Sequence, residues 1–118
     1  MRILQINKFL YPRGGAETYL FNLSKLLAQN GHEVFFFSQK NKKNIPNKQE
    51  KYFVADLELG KFSFASALKI GRIFWSFSAQ RKIKKLIGDL QPDLVHLHNI
   101  YHQISPSILP VIKRAGIP

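Results

Sequence analysis

The sequence predicts an α/β fold: a Rossmann-like parallel sheet with helices on both faces. Two apolar runs, Arg2–Asn7 and Val34–Ser38, flank a helical stretch, which is the order of a βαβ unit. The second run is continuously apolar rather than alternating, as expected of a parallel strand covered on both faces. A third run, Leu94–Asn99, follows a long helical segment and extends the same pattern. The chain has 118 residues, enough for a single domain with a core of ordinary size.

The first helix is predicted from Ala16 to Asn30. Apolar residues at three- and four-residue spacing predict the face that it buries, and polar residues predict the face turned to solvent. The apolar stripe comprises Tyr19, Leu20, Leu23, Leu26 and Leu27, and the opposite face Asn22, Ser24, Lys25 and Gln29. Asn30-Gly31 predicts the end of the helix, because glycine readily adopts the left-handed conformation that ends many helices.

The middle of the chain gives weaker signals. The Lys- and Asn-rich stretch 39–51 predicts a solvated, mobile loop, and Tyr52–Val54 predicts a short strand. Residues 56–62 match no element. A helix is predicted from Phe64 to Leu90, bent near Ser76–Gln80 because its two apolar stripes are rotated relative to each other.

The end of the chain predicts a strand, a loop and a further helix. Pro92-Asp93 precedes the third strand, and the exit loop of that strand runs to Ser105. Ser105 and Pro106 predict an N-cap and a first-turn proline that open a helix through Arg114. The last four residues suggest the turn into another strand. We therefore expect residues 1–118 to be one incomplete domain of a longer protein.

The charge of the chain restricts the classes of partner. Eighteen Lys and Arg against seven Asp and Glu give a formal net charge of +11. This balance favours polyanions, such as nucleic acid, anionic lipid headgroups or phosphorylated substrates. The absence of cysteine excludes disulfides and thiolate metal sites. The opening apolar run is too short for a signal peptide or a membrane span, so we expect a cytoplasmic protein.

The basic residues concentrate in the stretch 39–51 and in the cluster Arg81–Lys85. The simplest interpretation is a solvated surface. A second is contact with an anionic membrane, because aromatic residues are interleaved nearby. These aromatics are Phe62, Phe64, Phe74, Trp75 and Phe77. A third is nucleic acid, which we do not expect, since no aromatic-stacking motif or reading helix is recognisable.

Arg13, Gly14, Gly15 and Glu17 lie where the first strand turns into the first helix. One interpretation is structural: the glycines allow a tight turn and Glu17 complements the helix dipole. The other is a ligand site, in which backbone N–H groups, the positive helix end and Arg13 hold a phosphate or a sugar. Glu17 would suit a neutral hydroxyl better than a phosphate. The spacing excludes a dinucleotide fingerprint and a P-loop.

Three histidines lie on or after the third strand. His96 and His98 share a face because they are two residues apart, and His102 follows them. A metal triad is not favoured, since no carboxylate accompanies them; His96 is expected to pack within the sheet. His98 and Asn99 lie at the carboxyl end of the strand, where open α/β sheets bind ligands, and are candidates for hydrogen-bonding a polar substrate.

Two stretches together resemble glycosyltransferase family 4, the group 1 enzymes of GT-B fold. The first is Arg2–Ile6 followed by Tyr11–Glu17, continuing through Leu26–Val34. The second is Pro92–Asn99, which is similar to the family's Pro-Asp-(apolar)-(apolar)-His-x-His strand. The resemblance covers the two ends of the chain well and residues 40–90 poorly.

The resemblance implies two Rossmann-like domains facing across a cleft, an acceptor-side N-terminal domain and a C-terminal domain that binds the nucleotide-sugar. Transfer would retain anomeric configuration and need no metal. Gly14 and Gly15 would lie over the cleft near the donor phosphates, and Glu17 matches the last position of that loop. His98 and Asn99 would line the acceptor side. No catalytic residue is carried over, and these 118 residues lack the family's Glu-x7-Glu signature, so we expect them to be inactive alone.

The function expected from the sequence is therefore the acceptor-binding domain of a retaining, nucleotide-sugar-dependent glycosyltransferase. Its acceptor would be lipid-linked or an envelope polysaccharide, and the protein would bind peripherally to the inner face of the membrane. The nucleotide-sugar would be a co-substrate, with no further cofactor. The alternative is a non-catalytic basic α/β module that binds nucleic acid or an anionic surface.

Overall fold

A computed structural model describes residues 1–55, 77–101 and 104–118. In this part of the chain three parallel strands form one sheet: β1 (Arg2–Ile6), β2 (Glu33–Phe37) and β3 (Leu94–Leu97). Their spatial order is β2–β1–β3, so β1 is central. Ile3 of β1 pairs with Val34 on one side and with Leu94 on the other. The predicted parallel Rossmann-like sheet is confirmed.

Helices cover both faces of this sheet, as the sequence predicts. They are α1 (Gly15–Gln29), α2 (Phe77–Leu90) and the short α3 (Leu109–Arg114). Because strand side chains alternate between faces, Leu4 and Ile6 point into a core that α2 and α3 close. On the other face Phe36 packs against a smaller cluster that contains Leu20 of α1.

The buried face of α1 differs from the predicted stripe. Leu20 is fully buried, but Ser24 is buried too, while Tyr19 and Leu26 are 57% and 56% exposed. The reason lies in the first turn, where Glu17 bonds to Asn7 under the sheet edge and so fixes the rotation of the helix. Positions 20 and 24 then follow 17 on the same face. The helix stops as predicted, since Gly31 has a φ of +82°.

The prediction that the stretch 39–51 is a solvated loop holds for most of its side chains, which are exposed, but it is wrong for two of them. Gln39 and Gln49 are buried. The Asn44 side chain donates to the Gln39 carbonyl at 2.9 Å and accepts from the Leu10 N–H at 3.2 Å. Side-chain amides that suggested solvation are thus used to close turns against the β1 loop.

The strand predicted at Tyr52–Val54 is also wrong. Glu50–Tyr52 form one turn of 3₁₀ helix, and Val54 makes only an isolated parallel bridge with Gln39. The partner of this segment is α2: the Tyr52 hydroxyl donates to Asp89, a bond that raises the pKa of the tyrosine. Aromatic residues indicated β structure here, but tertiary contacts with a helix decided the outcome.

The two remaining helix predictions are confirmed where they can be compared. The long helix predicted to end at Leu90 is helical from Phe77 onward, and its first half lies outside the described residues. Of the predicted bend, Ser76 also lies outside them, and Phe77–Gln80 belong to the first turn of α2. The Ser105 side chain accepts from the Ser107 N–H at 3.3 Å, as an N-cap does. It opens a 3₁₀ turn, Pro106–Ile108, that leads directly into α3.

Candidate functional site

The loops that follow β1 and β3 meet at the carboxyl edge of the sheet, where open α/β sheets bind ligands. Asn7, fully buried, joins them. Its Nδ2 donates to the Phe9 carbonyl at 2.7 Å and to Glu17 Oε1 at 3.1 Å. Its Oδ1 accepts from the backbone N–H of Asn99 at 3.1 Å, and the Lys8 N–H donates to the Asn99 carbonyl at 2.9 Å. One side chain thus fixes three segments relative to each other: the loop of residues 8–14, which we call the glycine loop, the helix α1 and the end of β3.

The glycine loop ends at the start of α1. Gly14 is extended, with φ and ψ both at −164°, and no side chain caps the helix. Neither Gly14 nor Gly15 has a positive φ, and a Cβ on Gly15 would meet nothing within 4 Å in the described chain. The turn itself therefore does not require glycine at these positions. Because Gly15 has no side chain, open space remains beside the free N–H groups of the first helical turn.

Glu17 lies on the buried side of this loop and not on its exposed side. Its side chain is buried, and one carboxylate oxygen accepts from Asn7. The other oxygen, Oε2, would lie 3.6 Å from a Cβ placed on Gly14. The structure therefore places the predicted site residue Glu17 beside the glycine loop, where its carboxylate bonds to the side-chain amide of Asn7.

Arg13 extends from the loop over an aromatic ring. Its guanidinium carbon lies 4.3 Å from the centroid of the Phe9 ring, and the side chain is exposed. Lys8 contacts the same ring at 4.9 Å and the Tyr101 ring at 4.6 Å. Cations over ring faces are held by the ring quadrupole while their charge stays accessible.

A third cation at this edge comes from the loop after β2. Lys43 Nζ lies 5.8 Å from the Tyr11 ring centroid. Lys40 is close enough to Lys82 of α2 to contribute, after burial, to lowering the pKa of Lys82. We refer to Lys8, Arg13 and Lys43 as the rim cations.

Acidic side chains lie mostly at the opposite edge. Glu33 begins β2, Asp93 precedes β3 and accepts from the Arg2 N–H at 2.6 Å, and Asp89 is in the last turn of α2. Among the described acids Glu17 belongs to the carboxyl edge, where it is buried. The rim cations therefore lie at the carboxyl ends of the strands, and three of the described acids lie at the opposite edge.

His98 and Asn99 complete the edge. His98 Nε2 lies 2.6 Å from Gln5 Oε1, and the ring contacts Tyr19 edge-on at 5.9 Å between centroids. Burial, followed by the neighbouring His96 ring at 4.3 Å, lowers the pKa of His98 to about 4. The His98 ring is therefore neutral at pH 7, with one donor and one acceptor nitrogen. Asn99 is exposed and held through its backbone.

A family model for glycosyltransferase family 4 matches residues 13–118, which include the end of the glycine loop, α1 and β3 with its histidines. The chain belongs to glycosyltransferase family 4. A search of curated proteins returned no significant match. The resemblance inferred from the sequence is confirmed, and a glycosyltransferase-type function follows from the family.

Two residues of this family 4 domain were missed by the sequence predictions: Gln5 and Asn7. Gln5 is a single polar residue in an apolar strand, and Asn7 is an amide at the carboxyl end of the same strand. Both patterns are signals, because a polar side chain in a buried strand needs a partner. Their partners lie more than ninety residues away, at His98 for Gln5 (separation 93) and at Asn99 for Asn7 (separation 92).

Neither a metal site nor a membrane-spanning helix is present among the described residues of the family 4 domain. Within residues 1–55, 77–101 and 104–118 no three His, Cys, Asp or Glu side chains gather as a metal site would require. His102, the third member of the disfavoured triad, is outside the described residues. No described helix has the length and apolar character needed to cross a bilayer.

Proposed function

We propose that the chain is the acceptor-binding domain of a retaining glycosyltransferase that uses a nucleotide-sugar donor. The observation that carries the proposal is the open space at Gly15, beside the uncapped start of α1 and at the carboxyl edge of the sheet. A ligand phosphate or hydroxyl could reach the backbone there, and the helix end favours negative charge. A second domain would bind most of the donor, and the reaction would need no metal.

Each site residue has a role in this proposal. The N–H groups beside Gly14 and Gly15 would contact the ligand, with Arg13 adding charge. His98 and Asn99 would hydrogen-bond hydroxyl groups of the acceptor, because they lie at the same edge of the sheet. Glu17 would support the glycine loop through Asn7.

The rim cations support an anionic acceptor, such as a lipid-linked one with its phosphate groups, or an acidic envelope polysaccharide. Two loops place these cations at this edge, Lys8 and Arg13 from the loop after β1 and Lys43 from the loop after β2, and each cation contacts an aromatic ring. Rings and cations together suit a sugar that carries a phosphate, since sugar faces pack on aromatic rings while phosphate pairs with the cations. The net charge of +11 would raise the encounter rate with such an acceptor.

The proposal is tested by replacing Gly15 with valine in the full-length protein. A Cβ added at Gly15 meets nothing within 4 Å in the described chain, so we expect Gly15→Val to keep the fold. It would occupy the space that the ligand needs, and we expect transfer to fall by roughly tenfold or more, as misplacing a reacting group does. The measurement is release of nucleoside diphosphate in the presence of acceptor.

The matched control is Gly88→Val on α2. A Cβ on Gly88 also meets nothing within 4 Å, and Gly88 is exposed on a helix away from the carboxyl edge. We expect the control to keep wild-type transfer. Equal transfer by Gly15→Val and the wild type would show that the loop is only a turn.

A peripheral membrane location is also part of the proposal, and α2 supports it. Phe77 is 71% exposed at the start of α2, and Arg81, Lys84 and Lys85 are exposed along it. Cationic residues with an exposed aromatic suit the surface of an anionic bilayer. We expect the protein to sediment with vesicles that contain anionic lipid and to be released by high salt.

Charge reversal separates this surface from the general charge of the chain. Lys84→Glu should weaken vesicle binding more than Lys25→Glu, an equal reversal at an exposed position of α1. Each lysine near the surface contributes about 1 kcal/mol of attraction, and the introduced carboxylate is repelled in addition. Binding that ignores lipid charge would end the membrane proposal and leave the transferase proposal intact.

A further inference from the structure

We propose that Gln5 is a positioning residue, which holds the His98 ring with Nε2 protonated so that Nδ1 accepts a hydrogen bond from an acceptor hydroxyl. The inference rests on the proposed function, because it assigns a task to the acceptor side of that site. The acceptor's hydroxyl would thus be recognised by a neutral imidazole rather than by a charge.

The geometry fixes which nitrogen carries the proton. Gln5 Oε1 lies 2.6 Å from His98 Nε2, and an amide oxygen can only accept. His98 Nε2 must therefore donate, and the proton of a neutral ring is then on that nitrogen. No residue in the described ranges bonds to His98 Nδ1, which keeps its lone pair for a ligand.

The burial of Gln5 in the central strand lowers the stability of the fold, which suggests that its side chain has a functional role. It lies in the central strand, fully buried between the apolar Leu4 and Ile6. Its oxygen is used by His98, but its Nε2 is buried without a partner among the described residues. A buried N–H that makes no hydrogen bond destabilises a fold, and an apolar side chain would avoid that loss.

The surroundings of the ring keep it neutral. Among the described residues, the rings of His96 on β3 and Tyr19 on α1 lie beside His98. The Glu17 carboxylate of α1 is bonded to Asn7, whose side chain also accepts from the Asn99 N–H. Burial and then His96 bring the pKa of His98 to about 4. A neutral ring with its N–H engaged by Gln5 has only one remaining hydrogen-bonding function, the acceptor at Nδ1.

The first test is nitrogen-15 NMR on protein labelled in its histidine rings, with the His98 signals assigned by their loss in His98→Gln. We expect wild-type His98 to be the Nε2–H tautomer and not to titrate between pH 5.5 and pH 8. A proton on Nδ1, or titration within that range, would overturn the proposal. This result does not depend on transfer activity.

The second test adds a charge at Gln5. Gln5→Glu keeps an acceptor for Nε2–H, so the tautomer should persist, but the carboxylate favours the charged ring and should raise the His98 pKa by roughly 1–3 units. Gln49→Glu is the control, since Gln49 is also buried but lies at the outer edge of β2, on the far side of the sheet from β3. It should leave the His98 signals unchanged.

Transfer activity then distinguishes a positioning role of Gln5 from a purely structural one. In the full-length enzyme, Gln5→Glu should lose transfer at pH values below its raised His98 pKa and regain it above, because an imidazolium cannot accept a hydrogen bond. Transfer by the wild type and by Gln49→Glu should show no such loss over the same pH range. If His98 titrates in Gln5→Glu while transfer stays independent of pH, His98 does not contact the acceptor and the proposal is wrong. If the wild type turns over no donor, the proposed function fails, while the NMR test still decides the tautomer.

Discussion

The side chain of Asn7 shows how one amide organises the candidate site. Its two donors go to the Phe9 carbonyl and to Glu17, and its oxygen accepts from the Asn99 backbone. Each partner belongs to a different segment: the glycine loop, α1 and the end of β3. Because the bonds to Phe9 and Glu17 are buried, the loss of Asn7 would leave both of these groups without this partner at once.

We expect Asn7→Ala to lower the free energy of unfolding by about 2–3 kcal/mol, because it leaves the buried Glu17 carboxylate without its donor. Urea denaturation measures the change. Asn22→Ala, at an exposed position of α1, is the matched control and should change stability by less than about 0.5 kcal/mol. Equal effects of the two substitutions would show that Asn7 does not hold the edge together.

At the residue scale the sequence predicts positions better than partners. It places Gly14, Gly15, His98 and Asn99 at one edge of the sheet, because the carboxyl ends of parallel strands lie together. It does not predict that Gln5 meets His98, since the 93 residues between them give no local signal of that contact. It also predicts Glu17 as a ligand contact, whereas the buried side chain bonds to Asn7.

At the scale of elements, α1 shows why an apolar stripe is an incomplete guide. Its sequence offers Leu at four positions, and the pattern cannot tell which line of them faces the sheet. The bond between Glu17 and Asn7 decides, since it turns the first helical turn towards the strand end. Leu20 is then fully buried and Leu26 is more than half exposed.

The same substitution at these two leucines tests the rotation of α1. Leu20→Ala should cost about 2–5 kcal/mol of unfolding free energy, because it leaves a cavity in the cluster with Leu10 and Phe53. Leu26→Ala should cost less than about 0.5 kcal/mol. Thermal or urea unfolding of both variants gives the comparison. Similar costs at the two positions would contradict the helix orientation described here.

The other elements also show where the local sequence predicts the structure and where it does not. The strands β2 and β3 are predicted correctly, β2 from a continuous apolar run and β3 from an apolar run that contains His96. Tyr52–Val54 is a run of the same character but only three residues long, and it meets α2 rather than a strand. Short runs are decided by tertiary contacts, which local sequence does not contain.

At the scale of the whole molecule, charge and topology agree. The parallel sheet places three loop ends at one edge, and the cations Lys8, Arg13 and Lys43 gather there. Three of the acids lie at the other edge, at Glu33, Asp89 and Asp93. Composition predicts an affinity for anions, and the fold shows that these three cations lie at the edge where the glycine loop meets the uncapped start of α1.

The central claim is that this family 4 chain belongs to an enzyme that transfers sugar from a nucleotide-sugar. The most direct measurement is release of nucleoside diphosphate by the full-length protein from a panel of nucleotide-sugars, with anionic vesicles and extracted lipid acceptors present. We predict turnover of one donor, increased by an acceptor fraction that carries phosphate. No turnover of any donor, together with tight and salt-sensitive binding to nucleic acid, would contradict the claim and favour a basic binding module.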